Sequence, residues 1–297
     1  MLAVMTAGES KRPGPVAGAG PDAYTPGPVA GAGPNAYTHG HHDSVLRSHR
    51  WRTADNSCGY LLAHLAAGLD LLDVGCGPAT ITVDLARRVA PGRVTAVDNA
   101  AAVLPEARRT VARAGVAVEV EQADVYRLPF ADASFDVVHA HQVLQHLTDP
   151  VAALAEMRRV RRPDGLVAVR DSDYPAMAWF PDEPGLERWL RLYLQVARGN
   201  RAEPAAGRRL LGWAQAAGFA RIEPSASVWC FATPAERAWW GDLWAERVTG
   251  SALADQALDR QLADEAELQR LAAAWRRWAA APDGWFAVVH GEVLARG

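Results

Sequence analysis

A chain of 297 residues can bury a full core as one α/β domain with additions. Its net charge of −3, from 31 basic and 34 acidic side chains, excludes the basic footprint expected of a nucleic-acid or anionic-membrane binder. Three cysteines (Cys58, Cys76, Cys230) have no metal-ligand spacing, no run reaches the length of a membrane helix, and residues 1–14 lack a signal-peptide core, so the expected setting is reduced and cytoplasmic, with no metal.

Pro13–Thr25 (PGPVAGAGPDAYT) recurs as Pro26–Thr38 (PGPVAGAGPNAYT) with a single change, Asp22 to Asn35. Such a Pro/Gly/Ala repeat cannot bury a core, so 1–36 is expected to be a disordered tail. His39, His41 and His42 follow without carboxylate or cysteine partners at ligand spacing, which argues against a metal. Residues 37–66 are expected to form a cap over a ligand mouth, with Val45–Leu65 at helical spacing and Leu61, Leu62 and Leu65 on one face. Arg47, Trp51 and Arg52 ride on this cap.

The next stretch, Leu71-Leu72-Asp73-Val74-Gly75-Cys76-Gly77-Pro78-Ala79-Thr80, carries the first specific signal. The apolar run Leu69–Val74 reads as a buried parallel strand entering a Gly-x-Gly turn, and Ile81, Leu85 and Val89 mark one face of a helix beyond it. A strand, a glycine turn and a helix N-terminus let backbone N–H groups approach a ligand closely. Arg93–Val97 is the second strand, ending in Asp98 at the spacing that suits a carboxylate on ribose hydroxyls. Asn99–Ala114 is the second helix, stopped by Gly115, and Val116–Val120 is the third strand, followed by Asp124-Val125.

Phe135–Ala140 is the fourth strand and delivers His141-Gln142 to the carboxyl end of the sheet, where open α/β folds place ligands. Asp149-Pro150 starts a helix as N-cap and N1. Leu166–Arg170 is the fifth strand, closed by Asp171, Asp173 and Tyr174. Helices are predicted over Leu186–Arg198, Arg208–Ala217, Pro234–Val248 and Leu253–Trp278, with strands at Ile222–Phe231 and Trp285–Leu294. The βαβ alternation from Leu69 predicts right-handed crossovers and a parallel sheet.

With Leu71–Thr80, Asp98, Gln122-Ala123-Asp124, Leu128-Pro129-Phe130, Ser134–Val138 and Arg162-Pro163-Asp164-Gly165 in this order, the chain resembles the class I S-adenosylmethionine-dependent methyltransferases. The resemblance is to their small-molecule branch, which includes the ubiquinone/menaquinone methyltransferases. It covers roughly Tyr60–Arg170 strongly and the C-terminal third in outline. It implies a Rossmann-like, doubly wound, mostly parallel seven-stranded sheet with an antiparallel last strand and S-adenosyl-L-methionine as cofactor. The core is then 67–173 within a methyltransferase domain of 37–297, and 174–220 and 234–282 are substrate-covering helical insertions. Asp73, Gly75 and Gly77 fall to the amino-acid end of the cofactor, Asp98 and Asn99 to ribose, Asp124 and Val125 to adenine. His141 and Gln142 fall near the sulfonium, and Arg52 is a candidate for the cofactor carboxylate.

Histidine is the usual base near neutral pH, which makes His141 the first catalytic candidate, with Asp171 and the cap residue Tyr37 behind it. His146 is expected to be structural and His139 buried in its strand. Eleven tryptophans exceed ordinary packing needs, so some are expected to line an apolar pocket for an aromatic or prenylated small molecule, in a secondary-metabolic role. Thr80 stands where a dinucleotide fold wants its third glycine, which argues against NAD. His141-Gln142-Val143-Leu144 is not the Asn/Asp-Pro-Pro-aromatic motif of nucleic-acid methyltransferases. A catalytically silent cofactor-binding or assembly subunit, a macromolecule-directed enzyme and a homodimer all stay open.

Overall fold

The structure, a computed structural model, describes Thr38 and residues 43–297. The repeat up to Tyr37, the boundary at 36 and the three-histidine tract lie outside the described residues. The chain begins with α1 (Asp43–Arg50), α2 (Ala54–Ser57) and α3 (Gly59–Leu62). The single helix expected over Val45–Leu65 is therefore three. Thr53 interrupts it by forming a capping box with Asn56, each side chain accepting from the other's backbone N–H, which starts a new helix.

The alternating core follows as β1 (Leu71–Val74), α4 (Thr80–Val89), β2 (Val94–Asp98), α5 (Leu104–Ala114), β3 (Glu119–Gln122), β4 (Phe135–His141), α6 (Pro150–Val160) and β5 (Arg161–Ser172). Gly115 closes α5 in the left-handed region (φ 64°), and Asp149 caps α6 by accepting from the Ala152 N–H at 2.9 Å. α5 starts at Leu104 rather than Asn99, because the Asp98 side chain accepts from the Ala100 N–H and holds that segment as a turn.

The remainder is β6 (Ala178–Phe180), α7 (Pro184–Gly199), α8 (Ala206–Ala216), β7 (Arg221–Phe231), α9 (Pro234–Gly250), α10 (Ala252–Asp259), α11 (Glu265–Ala280) and β8 (Trp285–Arg296). The predicted Leu253–Trp278 helix is thus two. Gln261 takes a positive φ of 55°, and Asp264 starts α11 by accepting from the Glu267 N–H at 2.6 Å.

The sheet order is β3-β2-β1-β4-β5-β8-β6, with β7 also on β8. β1 to β5 are parallel, and β8 runs antiparallel to β5, β6 and β7. The expected seven strands become eight: the short β6 extends the β8 edge where β5 ends. β7 and β8 make the hairpin, carrying α9 to α11 between them.

Strand alternation divides the core. Leu72, Val74, Val138, Val167 and Val169 face α6 and α8, whereas Leu71, Val94, Val137 and Ala168 face α4 and the cap. A third cluster, built by α7, α9, α10 and α11 over β6 to β8, buries Trp189, Trp244, Trp275, Trp278 and Phe286 completely. Large aromatics bury about 150–250 Å² each, worth roughly 4–6 kcal/mol of transfer free energy, so these tryptophans are first of all the core of the added helices.

Asp70, just before β1, draws the strand starts together by accepting from Arg93 (2.9 Å) and Arg162 (2.9 Å). The Arg93 hydrogen bond, with help from Arg162 and against partial burial, lowers its carboxyl to about 2. A depressed carboxylate stabilises the fold above its ordinary pKa and loses that contribution as pH falls through its folded value. Asp70→Asn should therefore cost about 1–2 kcal/mol at neutral pH and flatten the loss of stability between about pH 4 and 2, measured as urea midpoints against pH.

Candidate functional site

The order of the sheet reverses between β1 and β4, and a cavity of about 340 Å³ opens at the carboxyl ends of the strands there. One half is built by the Gly-x-Gly turn and the ends of β2 and β3: Gly75, Gly77, Asp98, Asn99, Asp124 and Val125 line it. Gly75 has a φ of +70°, and a Cβ there would stand 2.4 Å from the Val143 side chain, so the turn has room for nothing larger. Asp98 accepts from Gly77 N–H (3.0 Å) and Ala100 N–H (2.9 Å), one bond to each carboxylate oxygen. Asp124 accepts from Tyr126 N–H at 3.0 Å. Both carboxylates, which line the cavity, are thus held in place by backbone donors.

Beneath the turn, Asp73 is engaged on both oxygens: by His139 Nδ1 at 2.8 Å and by the Thr82 hydroxyl at 2.5 Å. It braces the strand end from which the turn springs.

The other half of the cavity is aromatic. Tyr174, Met177, Trp229, Trp240, Trp244 and Val288 line it, and its carboxylate-bearing residues all lie in the first half. His141 stands between the halves at the end of β4, 5.7 Å from the Trp229 ring and 6.2 Å from the His290 ring. It is buried, and neither ring nitrogen has a hydrogen-bond partner among the described residues. Burial, then Arg170, Arg52 and His290, push its pKa well below the ordinary histidine value, so it is neutral at pH 7. Next to it, Gln142 holds a positive φ of 55° and lines the cavity. It accepts from Arg52 at 2.7 Å and donates to His290 Nε2 at 2.8 Å, while His290 Nδ1 donates to the Val288 carbonyl.

The roof comes from the first helix and the loop after it. Leu46, Ser48, His49, Trp51 and Arg52 line the cavity, Thr80 donates to the His49 carbonyl at 3.1 Å, and Arg247 of α9 donates to Ser44 and Ser48 of α1.

A methyltransferase domain model matches residues 72–169, the segment from β1 through β5. An uncharacterized methyltransferase of Schizosaccharomyces pombe is 36% identical over 261 residues, which is 84% of this chain and 92% of the yeast protein. The chain belongs to the class I S-adenosylmethionine-dependent methyltransferases. It is an enzyme of that family, and S-adenosylmethionine is its cofactor. A ubiquinone/menaquinone biosynthesis C-methyltransferase of Bdellovibrio bacteriovorus is 39% identical over 103 residues, 35% of this chain and 44% of its own length. Among solved structures, the Bacillus subtilis YcgJ protein superposes with a TM-score of 0.51 at 16% identity, covering 86% of this chain and 100% of that one, a likeness of fold.

In this methyltransferase, Arg52, Asp73, Gly75, Gly77, Asp98, Asn99, Asp124, Val125, His141 and Gln142 all meet at one cavity. Asp171 does not. It is fully buried on the opposite side of β5 from Ser172, which lines the cavity, and it accepts from the Gln145 N–H at 3.2 Å. Burial raises its carboxyl to about 7 against those backbone bonds, and its second oxygen has no partner among the described residues. The expected substrate contact by Asp171 is therefore withdrawn; it anchors the 3-10 turn Leu144–His146. Asp173 is likewise committed, to Arg208. His146, read as structural, lines the cavity, where burial and Arg52 lower its pKa to about 3. His49, Trp240, Trp244, Arg247 and His290 went unassigned as site residues. The α9 residues sit on a helical face that reads equally well as core, and His290 arrives from a strand nearly 150 positions downstream of His141 with no local signal.

No helix among the described residues is long and apolar enough to cross a membrane. No group of three or more histidine, cysteine or acidic side chains among them is placed to hold a metal. The turn's dependence on glycine is directly testable: Gly75→Ala should cost about 1–3 kcal/mol, read as a lower thermal midpoint with the far-ultraviolet spectrum retained.

Proposed function

We propose that this methyltransferase acts on a small aromatic or apolar metabolite whose acceptor is an acidic hydroxyl or an acidic carbon. The observation that carries the reading is the two-sided cavity: aimed carboxylates and a glycine turn on one side, tryptophans without carboxylates on the other, His141 between. The first half fits S-adenosylmethionine. At Gly77 (φ +54°) the place of a Cβ is open, the nearest atom being His49 Nδ1 at 4.0 Å, and Asp98 and Asp124, aimed by backbone N–H donors, would meet the ribose hydroxyls and the adenine amino group. Asn99 and Val125 would flank ribose and adenine, and Arg52 would take the carboxylate.

When bound, the cofactor supplies a methyl group already activated on a sulfonium, so the protein's task is positioning and, where needed, proton removal. Trp229, Trp240, Trp244 and Met177 offer flat and adaptable apolar surface that orients a ring and excludes water. His141, neutral and with unclaimed nitrogens, would hydrogen-bond the acceptor and receive its proton. Its surroundings disfavour the imidazolium form, so only an acceptor already acidic, a phenol or enol, would give that proton up readily. The roof formed by residues 43–52, read as the inner part of a 37–66 cap, closes both halves together. An enclosed aromatic end fits a free metabolite better than a polymer. A reducing cytoplasm, in which Cys58, Cys76 and Cys230 remain thiols, suits the reading.

Two measurements test it. Asp98→Ala should weaken S-adenosylhomocysteine binding by about ten- to a hundredfold without unfolding, by calorimetry; unchanged affinity would remove Asp98 from the cofactor site. With a phenolic acceptor, His141→Ala should lower kcat by about 10²–10³, the deficit shrinking as pH approaches the phenol's own pKa. The parent should show no loss of kcat near pH 6.5, because a histidine with a lowered pKa keeps its base form to more acid pH. A parental kcat in the variant at neutral pH makes His141 a wall rather than a base.

A further inference from the structure

Cys58 ends α2 and opens α3, fully buried under the sheet, with its sulfur 3.1 Å from His139 Nε2. His139 lies in mid-strand on β4, directly opposite Asp73 in the β1–β4 register, and its Nδ1 meets Asp73 at 2.8 Å. The other Asp73 oxygen accepts from Thr82, in the first turns of α4, at 2.5 Å. Thiol, imidazole, carboxylate and hydroxyl therefore form one unbroken buried chain. It links four elements: the cap, β4, β1 and the helix that follows the glycine turn.

Burial opposes a charge on His139, but Cys58 and Asp73 outweigh it and hold its pKa up at about 10. The chain is satisfied only as a whole. Removing one member leaves its neighbour buried without a partner. One member, Asp73, also lines the cavity. Asp73 is two residues before Gly75, and the cap segment that delivers Cys58 carries Trp51 and Arg52 on the cavity roof. The same segment presents the Asn56 carbonyl, which accepts from Trp229 Nε1 at 2.6 Å.

We propose that Cys58 and His139 are positioning residues for the cofactor half of the cavity, joining closure of the cap to the geometry of the Gly-x-Gly turn. This rests on the assignment of that half to S-adenosylmethionine. The thiol holds the imidazole in line, the imidazole holds Asp73, and Asp73 with Thr82 holds the turn against α4. Opening the cap withdraws Cys58 and loosens the turn, and a ligand that needs the ordered turn holds the cap shut.

The test uses the full chain and S-adenosylhomocysteine as the probe. N-ethylmaleimide alkylation is followed cysteine by cysteine by mass spectrometry. The exposed Cys230 serves as internal reference and Cys76, which lines the cavity, is read separately. Saturating probe should slow modification of Cys58 by at least about tenfold and leave Cys230 unchanged. Cys58→Ala should raise the probe's Kd and the cofactor KM by about tenfold with kcat within about threefold, and Cys58→Ser should recover most of the loss. If the parent binds the probe and Cys58 is alkylated at the same rate with and without it, the proposal is overturned. A folded Cys58→Ala that binds like the parent overturns it equally. Should Cys58→Ala fail to fold, the alkylation result in the parent decides. Failure of the parent to bind the probe at all would instead remove the cofactor assignment beneath the proposal.

Discussion

A carboxylate kept inside a parallel sheet is the constraint on which this enzyme depends. Asp73 stands one strand residue before the turn that must approach a nucleotide-like ligand, and it is almost wholly removed from water. An isolated carboxylate there would be costly; hydrogen bonds from His139 and Thr82 make it tolerable. Those partners come from β4 and α4, the two elements flanking the glycine turn. The interaction that stabilises the charge therefore also fixes the turn. Gly75 packed on Val143 and Asp98 accepting from the Gly77 N–H complete the same arrangement from the other side.

Two cores then place two chemistries side by side. The parallel sheet with α4, α5, α6 and α8 is an aliphatic scaffold whose strand ends carry Asp98, Asp124 and His141. The helices α7, α9, α10 and α11 form a tryptophan-rich body over β6 to β8. Its surplus aromatics, Trp229, Trp240 and Trp244, reach the cavity from the far side of His141. A polar, hydrogen-bonding half and an apolar, stacking half meet at one neutral imidazole. That division suits a reaction in which the donor is held by directed bonds and the acceptor by shape.

The parallel core was legible because its signals are local: the short apolar run of β1, buried along its whole length, the Gly-x-Gly turn, Asp98 closing β2, Asp149-Pro150 opening α6. Where local periodicity misled, a polar cap intervened. Thr53 with Asn56 divides the cap, and Asp264 divides the last helical run. The three residues of β6 carry no alternation long enough to read and exist because β8 offers an open edge. Asp171 shows the limit for site residues. The fifth strand continues to Ser172, so alternation turns Asp171 to the buried side, and its partner Gln145 is remote in the chain. His290 and the Cys58–His139 contact are visible only once β8 and the cap are in place.

The account's central claim is that one cavity holds the cofactor on its carboxylate side and leaves its tryptophan side for the acceptor. A crystal structure of the complex with S-adenosylhomocysteine tests it most directly. The adenosine should lie between Asp98 and Asp124 with Val125 against the base, the sulfur should face His141, and the space bounded by Trp229, Trp240 and Trp244 should remain open. A ligand seated among the tryptophans, or bound away from the Gly75–Gly77 turn, would contradict it.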